Sequence, residues 1–339
     1  MKVSMETIAR KLGVSKVTVS NAMRGSGRIS EATRARVMKA ASELGYRPNP
    51  LVTALMSDLR RKRSGRRCTL GFLNFFPGRE DWREHPTFVH FHTGAQRRAE
   101  ELGYRVELHW QGEVSGNNKR LGNILYARGI PGLVLAPLPA NAVKIDMDWS
   151  RFATVAIGHT FRGFNPHRVS NHQFHSIRLA MDKLAAMGLR RIGLVVPRMD
   201  DEKVENAWVS GYIAAQLHHG LPSIAPWRGE RFHAAEVVPW VVREKVEAVV
   251  STNHHVMRWM TAAGVRVPDD VGFAHLDWSP EKGRMAGVDQ CSEHIGAAAV
   301  DLVIEQLNNN ESGIPKRPKT VMIDGVWHDG PSLRAPESA

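Results

Sequence analysis

The side chains able to do chemistry in this sequence fall into two groups, a block of cations near the N-terminus and a scatter of imidazoles beyond it. Residues 1–67 carry sixteen lysines and arginines against four acids, Glu6, Glu31, Glu43 and Asp58, while the rest of the chain carries thirty of each sign. The whole net charge of +12 therefore sits in the first fifth of the sequence. A cationic block on a folded segment suits a polyanion, because each ammonium or guanidinium placed at a phosphate releases condensed counterions. A solvated basic tail would share the charge but not the helical periodicity of this segment.

The sixteen histidines include the runs HPTFVHFH (85–92) and NHH (253–255), and neither has the spaced imidazoles and acid of a zinc-binding helix. Surface or cleft positions are expected for them. The sequence has no Gly-x4-Gly-Lys phosphate loop and no Gly-x-Ser-x-Gly elbow. No catalytic residue, metal or cofactor is expected, and the chain reads as a binding protein rather than an enzyme. Cys68 and Cys291 are too few and too far apart for a disulfide framework, which fits a reducing cytoplasm. No apolar run is long enough to span a bilayer, and Met1 leads directly into an amphipathic pattern. Neither a membrane anchor nor a secretory leader is expected.

Three short helices must position the cations. Met5, Ile8, Ala9 and Leu12 recur at helical spacing after the capping residue Ser4, and Gly13 permits a tight left-handed turn. Ser15 caps a second helix over about 16–23 with Val19, Ala22 and Met23 facing inward. A third follows Ser30 and carries Ala32, Val37, Ala40, Ala41 and Leu44 before Gly45 stops it. Two helices joined by a glycine turn make a helix-turn-helix, whose second helix enters the major groove with its N-terminal residues at base edges.

The segments IARKLGVS, TVSNAM, RISEATRARV and ELGYRPN extend this pattern in an order that resembles the headpiece of the lactose-repressor (LacI/GalR) family. The resemblance implies that Lys16, Val17 and Asn21 read bases of double-stranded operator DNA. Lys16 would donate to guanine, Val17 pack on a thymine methyl and Asn21 pair with adenine. Asn21 departs from the arginine commoner at that place. Ser15, Thr18 and Ser20 are expected at phosphates, where they position without reading.

Pro48 and Pro50 break the third helix, and the following Leu51–Leu59 stretch is too short to be a stable helix alone in water. In the family this hinge pairs with its dimer mate in the minor groove, and Leu55 stands at the place of the intercalating wedge. Arg60, Arg61, Lys62, Arg63, Arg66 and Arg67 follow, either at flanking phosphates or as a solvated linker.

From Thr69 onward, apolar strand-length runs alternate with amphipathic helices: TLGFLNFF, YRVELHW, GLVLAPL, ATVAIG, RIGLVV, VEAVVS and VGFAHL. All nine tryptophans lie here. The alternation predicts parallel sheets covered on both faces, and some eight strands favour two units. The expected fold class is a small all-α helix-turn-helix headpiece plus an α/β core of two doubly wound parallel-sheet subdomains. The expected division is a headpiece over 1–46, a linker over 47–67 and a core over 68–333. The core is similar to the family's effector domain and to periplasmic sugar-binding proteins. That likeness divides it into 68–164 with 291–321 and 165–289 with 322–333, the crossings falling near 164, 290 and 322.

Ligand would lie between the halves, beyond the carboxyl ends of the strands. The resemblance places Asn253 and Asp277 at a sugar-like effector, with Trp278 as a stacking platform. Trp208 stands where many members keep an arginine and is read either as a ligand contact or as core packing. Asn171 replaces a frequent aspartate, and with both departures a less polar or larger effector, or loss of effector binding, stands beside the sugar-like one. A homodimer, or a tetramer, is expected, although the C-terminal DGPSLRAPESA has no heptad repeat. Two readings compete with a regulator. A transport solute receptor conflicts with the basic headpiece and absent leader, and a sugar-processing enzyme lacks paired catalytic groups.

Overall fold

The computed structural model describes residues 4–24, 29–44, 68–138, 145–161 and 163–334. The 47–67 linker, with Leu55 and the arginine cluster, lies outside them. The headpiece consists of α1 (Met5–Leu12), α2 (Lys16–Arg24) and α3 (Glu31–Glu43). Ser4 and Thr7 form a reciprocal cap at the start of α1, and Gly13 at φ 66° ends it in the left-handed region. The Ser15 Oγ accepts the Thr18 N–H at 2.9 Å, which caps α2 as expected. Ile8, Val19 and Val37, one from each helix, are wholly buried among Ala9, Ala22, Ala40 and Ala41. The small residues let the helices cross closely enough for three aliphatic side chains to close the core.

The larger part begins with β1 (Cys68–Asn74), α4 (Pro86–Glu101), β2 (Tyr104–Trp110), α5 (Asn118–Ala127), β3 (Gly132–Leu135), β4 (Ala153–Ile157) and β5 (His167–Asn171). It continues through α6 (Gln173–Ala186), β6 (Ile192–Val195), α7 (Arg198–Glu202), α8 (Ala207–His218) and α9 (Ala234–Arg243). Next come β7 (Ala248–Ser251), α10 (His255–Ala262), β8 (Gly272–His275) and β9 (Ala286–Asp289). The last elements are α11 (Ser292–Asn309), β10 (Thr320–Ile323) and β11 (Val326–His328). The strands make two sheets, β10-β5-β4-β3-β1-β2 and β11-β9-β8-β7-β6. Every pair is parallel except β11 with β9, where the returning chain adds an antiparallel edge.

Period-two burial shows that each sheet is covered twice. In β4, Ala153, Val155 and Ile157 face the core under α4 and α11, while Ala156 faces the one under α5. In the second sheet, Leu194, Val250 and Ala274 pack under α6 and α8, and Val195, Val249 and Phe273 under α9 and α10. The chain crosses between lobes three times, after Asn171, after Asp289 and after Ile323. The expected boundaries near 164 and 322 therefore move. Residues 167–171 and 322–323 hydrogen-bond into the first sheet, because β5 and β10 pair with each other as its edge.

Helices α4 and α11 touch backbone to backbone. A Cβ on Gly296 would sit 2.0 Å from the Phe91 carbonyl oxygen, and one on Gly94 would sit 1.9 Å from that of Glu293. Only glycine fits either place. Gly296→Ala is expected to destabilise the protein by about 1–3 kcal/mol through overpacking, read as a lower denaturant midpoint at unchanged slope. An unchanged midpoint would mean that the two helices separate freely.

Candidate DNA-reading helix and interlobe cleft

Helix α2 turns Val19 and Ala22 into the headpiece core, which leaves Val17 at the centre of the opposite face, 66% exposed. Lys16 is exposed beside it, and Ser20 and Asn21 lie half-buried on the same side. Thr18 and Ser15 sit at the helix start with their hydroxyl oxygens 2.8 Å apart. The first turn of α2 contains no acid, so its N–H groups and Lys16 meet an approaching anion without repulsion. Lys16, Val17 and Asn21 thus share one face, and Leu55 lies outside the described residues.

At the carboxyl ends of the strands the two lobes touch through polar groups. The Thr87 hydroxyl, in the first turn of α4, donates to Asp277 Oδ2 at 3.0 Å. His90 Nε2 lies 3.6 Å from Glu281 Oε1, and on another side His159 Nδ1 lies 3.5 Å from Glu205 Oε1. Asp277 also pairs with the Lys282 ammonium, both side chains being largely withdrawn from solvent. Burial opposes ionisation of this carboxyl, yet the Lys282 charge, helped by Thr87, holds it below the usual carboxylate range.

His275 ends β8 beside this pair, 1% exposed. Its Nδ1 accepts the Asp277 N–H at 3.1 Å, so the neutral ring carries its proton on Nε2. Burial first, and the nearby Lys282 and His254, push its pKa down to about 4 against the Asp277 carboxylate. The Nε2 finds no partner among the described residues. A buried donor without an acceptor at a strand's carboxyl end is a ligand-recognition feature. Asn253 lies half-buried after β7, its Oδ1 accepting the His255 N–H at 2.9 Å. Asn171 is 4% exposed, holds the Ser176 hydroxyl at 3.0 Å through Oδ1 and leaves Nδ2 unpartnered among the described residues.

The two tryptophans do not join this group. Trp208 is 4% exposed in the second-sheet core with Ile177 and Tyr212, and its backbone N–H donates to Asp201 Oδ1 at 3.1 Å. Core packing is the reading that the geometry favours. Trp278 stacks on His328 at 3.8 Å between ring centroids and donates Nε1–H to the Met285 carbonyl at 2.8 Å. One face and its polar edge are engaged within the second lobe, so it is not a free stacking platform.

Sequence reading missed Thr87, Lys282 and His275, because each acts through a partner distant in the chain or through burial. The histidine run divides. His90 reaches the other lobe, while His92 packs edge-on against Phe72 and Trp82 at 5.1 and 5.2 Å with its Nε2 enclosed. Among the described residues one grouping could hold a metal ion, His172, His175 and Asp324, at the passages between lobes.

Comparison with known proteins adds to this geometry. Residues 4–49 match the family model described as bacterial regulatory proteins, lacI family, and residues 181–325 match the periplasmic binding protein-like domain. The HTH-type transcriptional regulator PtxS of Pseudomonas plecoglossicida is 24% identical over 329 residues, covering 91% of each chain. Among solved structures, a transcriptional regulator CelR–cellobiose complex aligns over 97% of this chain and 99% of its own, at TM-score 0.58 and 21% identity. A lac repressor dimer bound to operator and the anti-inducer ONPF aligns over 98% and 100%, at TM-score 0.57 and 19% identity. These structural likenesses establish the fold.

Proposed function

The chain belongs to the lacI family of bacterial regulatory proteins, and from that premise we propose that it is a homodimeric, operator-binding repressor released or engaged by a small carbohydrate-like effector. The observation that carries this reading is the pairing of an exposed, acid-free α2 face with a two-lobed core whose strand ends meet in polar contacts. Lys16, Val17 and Asn21 read base edges, Ser15, Thr18 and Ser20 hold phosphates, and Leu55 wedges the minor groove between the two hinges. The protein acts in the cytoplasm, on the bacterial nucleoid, and turns over no substrate. The relatives it matches are named as regulators, which supports this.

The effector lies between the lobes at Asn253, Asp277 and the His275 Nε2–H, with Lys282 and Thr87 fixing the Asp277 carboxylate. A polyhydroxylated ligand suits one anionic acceptor beside neutral amide and imidazole donors. Effector binding alters lobe closure and hence the spacing of the two reading heads, a coupling that must be reciprocal. The test selects an operator from random duplexes, screens sugars and sugar acids by thermal shift, and measures each affinity with and without the other ligand. The expected outcome is equal coupling from both directions, typically about 1–3 kcal/mol. Asp277→Asn is expected to reduce effector affinity at least tenfold and leave operator affinity without effector within threefold. Independent affinities for operator and effector would defeat this mechanism.

A further inference from the structure

We propose that His172, His175 and Asp324 form a binding site for a divalent transition-metal ion, of the zinc class, that ties together two of the three passages between the lobes. Their ligand-capable atoms all lie within 4.8 Å of one another. His172 Nδ1 is 2.8 Å from Asp324 Oδ1, and the two imidazole rings stack at 5.6 Å and 24°.

Backbone structure explains why these residues meet. Parallel pairing of β10 with β5 sets Ile323 opposite Asn171, and the His172 N–H donates to the Ile323 carbonyl at 2.9 Å. Asp324 and His172 are therefore the next positions on adjacent strands. His172 immediately precedes α6 and His175 lies in its first turn, a spacing of three that puts both rings on one side of the helix start. The third ligand comes from 149 residues further along, at the third passage. Gly325 behind it is pinned, since a Cβ there would come within 2.5 Å of Val288 and 2.9 Å of the Asp289 carbonyl oxygen.

Two imidazoles and one carboxylate are a borderline N/O donor set, suited to zinc, cobalt or nickel and poor for magnesium or calcium. Bonds of about 2.0–2.1 Å in a tetrahedron place ligand atoms about 3.3 Å apart. The 2.8 Å pair would open slightly and the longest separation close by rotation of partly exposed side chains. Three protein ligands leave the fourth position to water or an exogenous donor. A bound ion would replace the His172–Asp324 hydrogen bond by a stronger link across the first and third passages, both of which must flex when the lobes move. Elsewhere the His254 and His255 rings lie 4.2 Å apart, tilted by 34°, yet no third donor joins them among the described residues.

The test is zinc competition against a chromophoric chelator, with metal-stripped full-length protein. One site per chain of micromolar or tighter affinity is expected. Asp324→Asn and His175→Ala are each expected to weaken it at least tenfold, and His255→Ala to leave it unchanged. Cobalt supplies a readout on the unaltered protein, because coordination by this set gives visible absorption bands that vanish on adding zinc. Uptake that persists in the His172→Ala, His175→Ala double variant, or no zinc-displaceable cobalt spectrum in the wild type, would overturn the proposal. Neither readout involves operator or sugar, so this site stands or falls apart from the effector reading.

Discussion

Replacing Lys16 and Val17 together by alanine is expected to cut discrimination between operator and random duplex sharply while leaving the headpiece folded. Both side chains point away from the core that Ile8, Val19 and Val37 close. Alanine is the best helix former, so loss of two exposed side chains from α2 costs the fold little. A well-placed lysine at guanine contributes about 1–3 kcal/mol of discrimination. In a two-fold dimer every substitution acts in both half-sites, which raises the expected loss to about 2–6 kcal/mol. Fluorescence anisotropy on a selected operator and a scrambled duplex, across a salt series, separates the roles. A base reader lowers specific affinity and leaves binding to the scrambled duplex and its salt dependence nearly unchanged. If both duplexes weaken equally and the salt slope falls, Lys16 sits on phosphate and the reading assigned to it is wrong.

How far sequence alone leads depends on whether a residue acts locally or through burial. The headpiece is legible nearly to the residue, because Ser4, Gly13, Ser15 and Ser30 are capping residues whose hydrogen bonds lie within four positions. The seven runs of the core all form strands: six are nearly continuous apolar stretches buried on both faces, and YRVELHW alternates because β2 is a sheet edge. Four further strands escape that reading. His167–Asn171, Ala286–Asp289, Thr320–Ile323 and Val326–His328 are short, and polar or small residues interrupt them; all four lie at or beside a sheet edge. They are also the strands that flank the passages between lobes, so missing them displaces the expected boundaries. The same limit applies in the cleft. Asp277 is found through the family resemblance, but Lys282 and Thr87, which set its charge, are not. A tryptophan carries no sequence signal that separates a stacking platform from a core residue. Trp208 and Trp278 are decided by Ile177, Tyr212 and His328, none of which adjoins them in the chain.

Acidification is expected to weaken the folded core through His275 before Asp277 is protonated. The ring is buried and neutral, with its folded pKa near 4 and its unfolded value near 6.5. Between those values the unfolded chain binds a proton that the folded chain refuses, so stability is complete above about pH 6.5 and declines as pH falls toward 4. Two and a half pH units at about 1.4 kcal/mol each amount to roughly 3 kcal/mol. His92, held down by burial and Arg83, acts in the same direction. Asp277, whose folded pKa is lowered, keeps its contribution until pH falls through the carboxylate range itself. Asp201 opposes the trend, since burial raises its pKa and its protonation favours the folded state. The single-site contribution therefore has to be read as a difference. His275→Gln preserves an acceptor for the Asp277 N–H and a donor, but has nothing to titrate. Urea unfolding of both proteins from pH 7 to 4 should show the wild type losing about 3 kcal/mol more than the variant. Parallel losses would mean that the ring is not the buried neutral group described here. The same proton bears on recognition. An effector oxygen that accepts the Nε2–H meets the neutral ring throughout the physiological range, so its affinity should stay level from pH 8 to 5. Any effector gain or loss at neutral pH then has to come from another group, and a neutral sugar brings none.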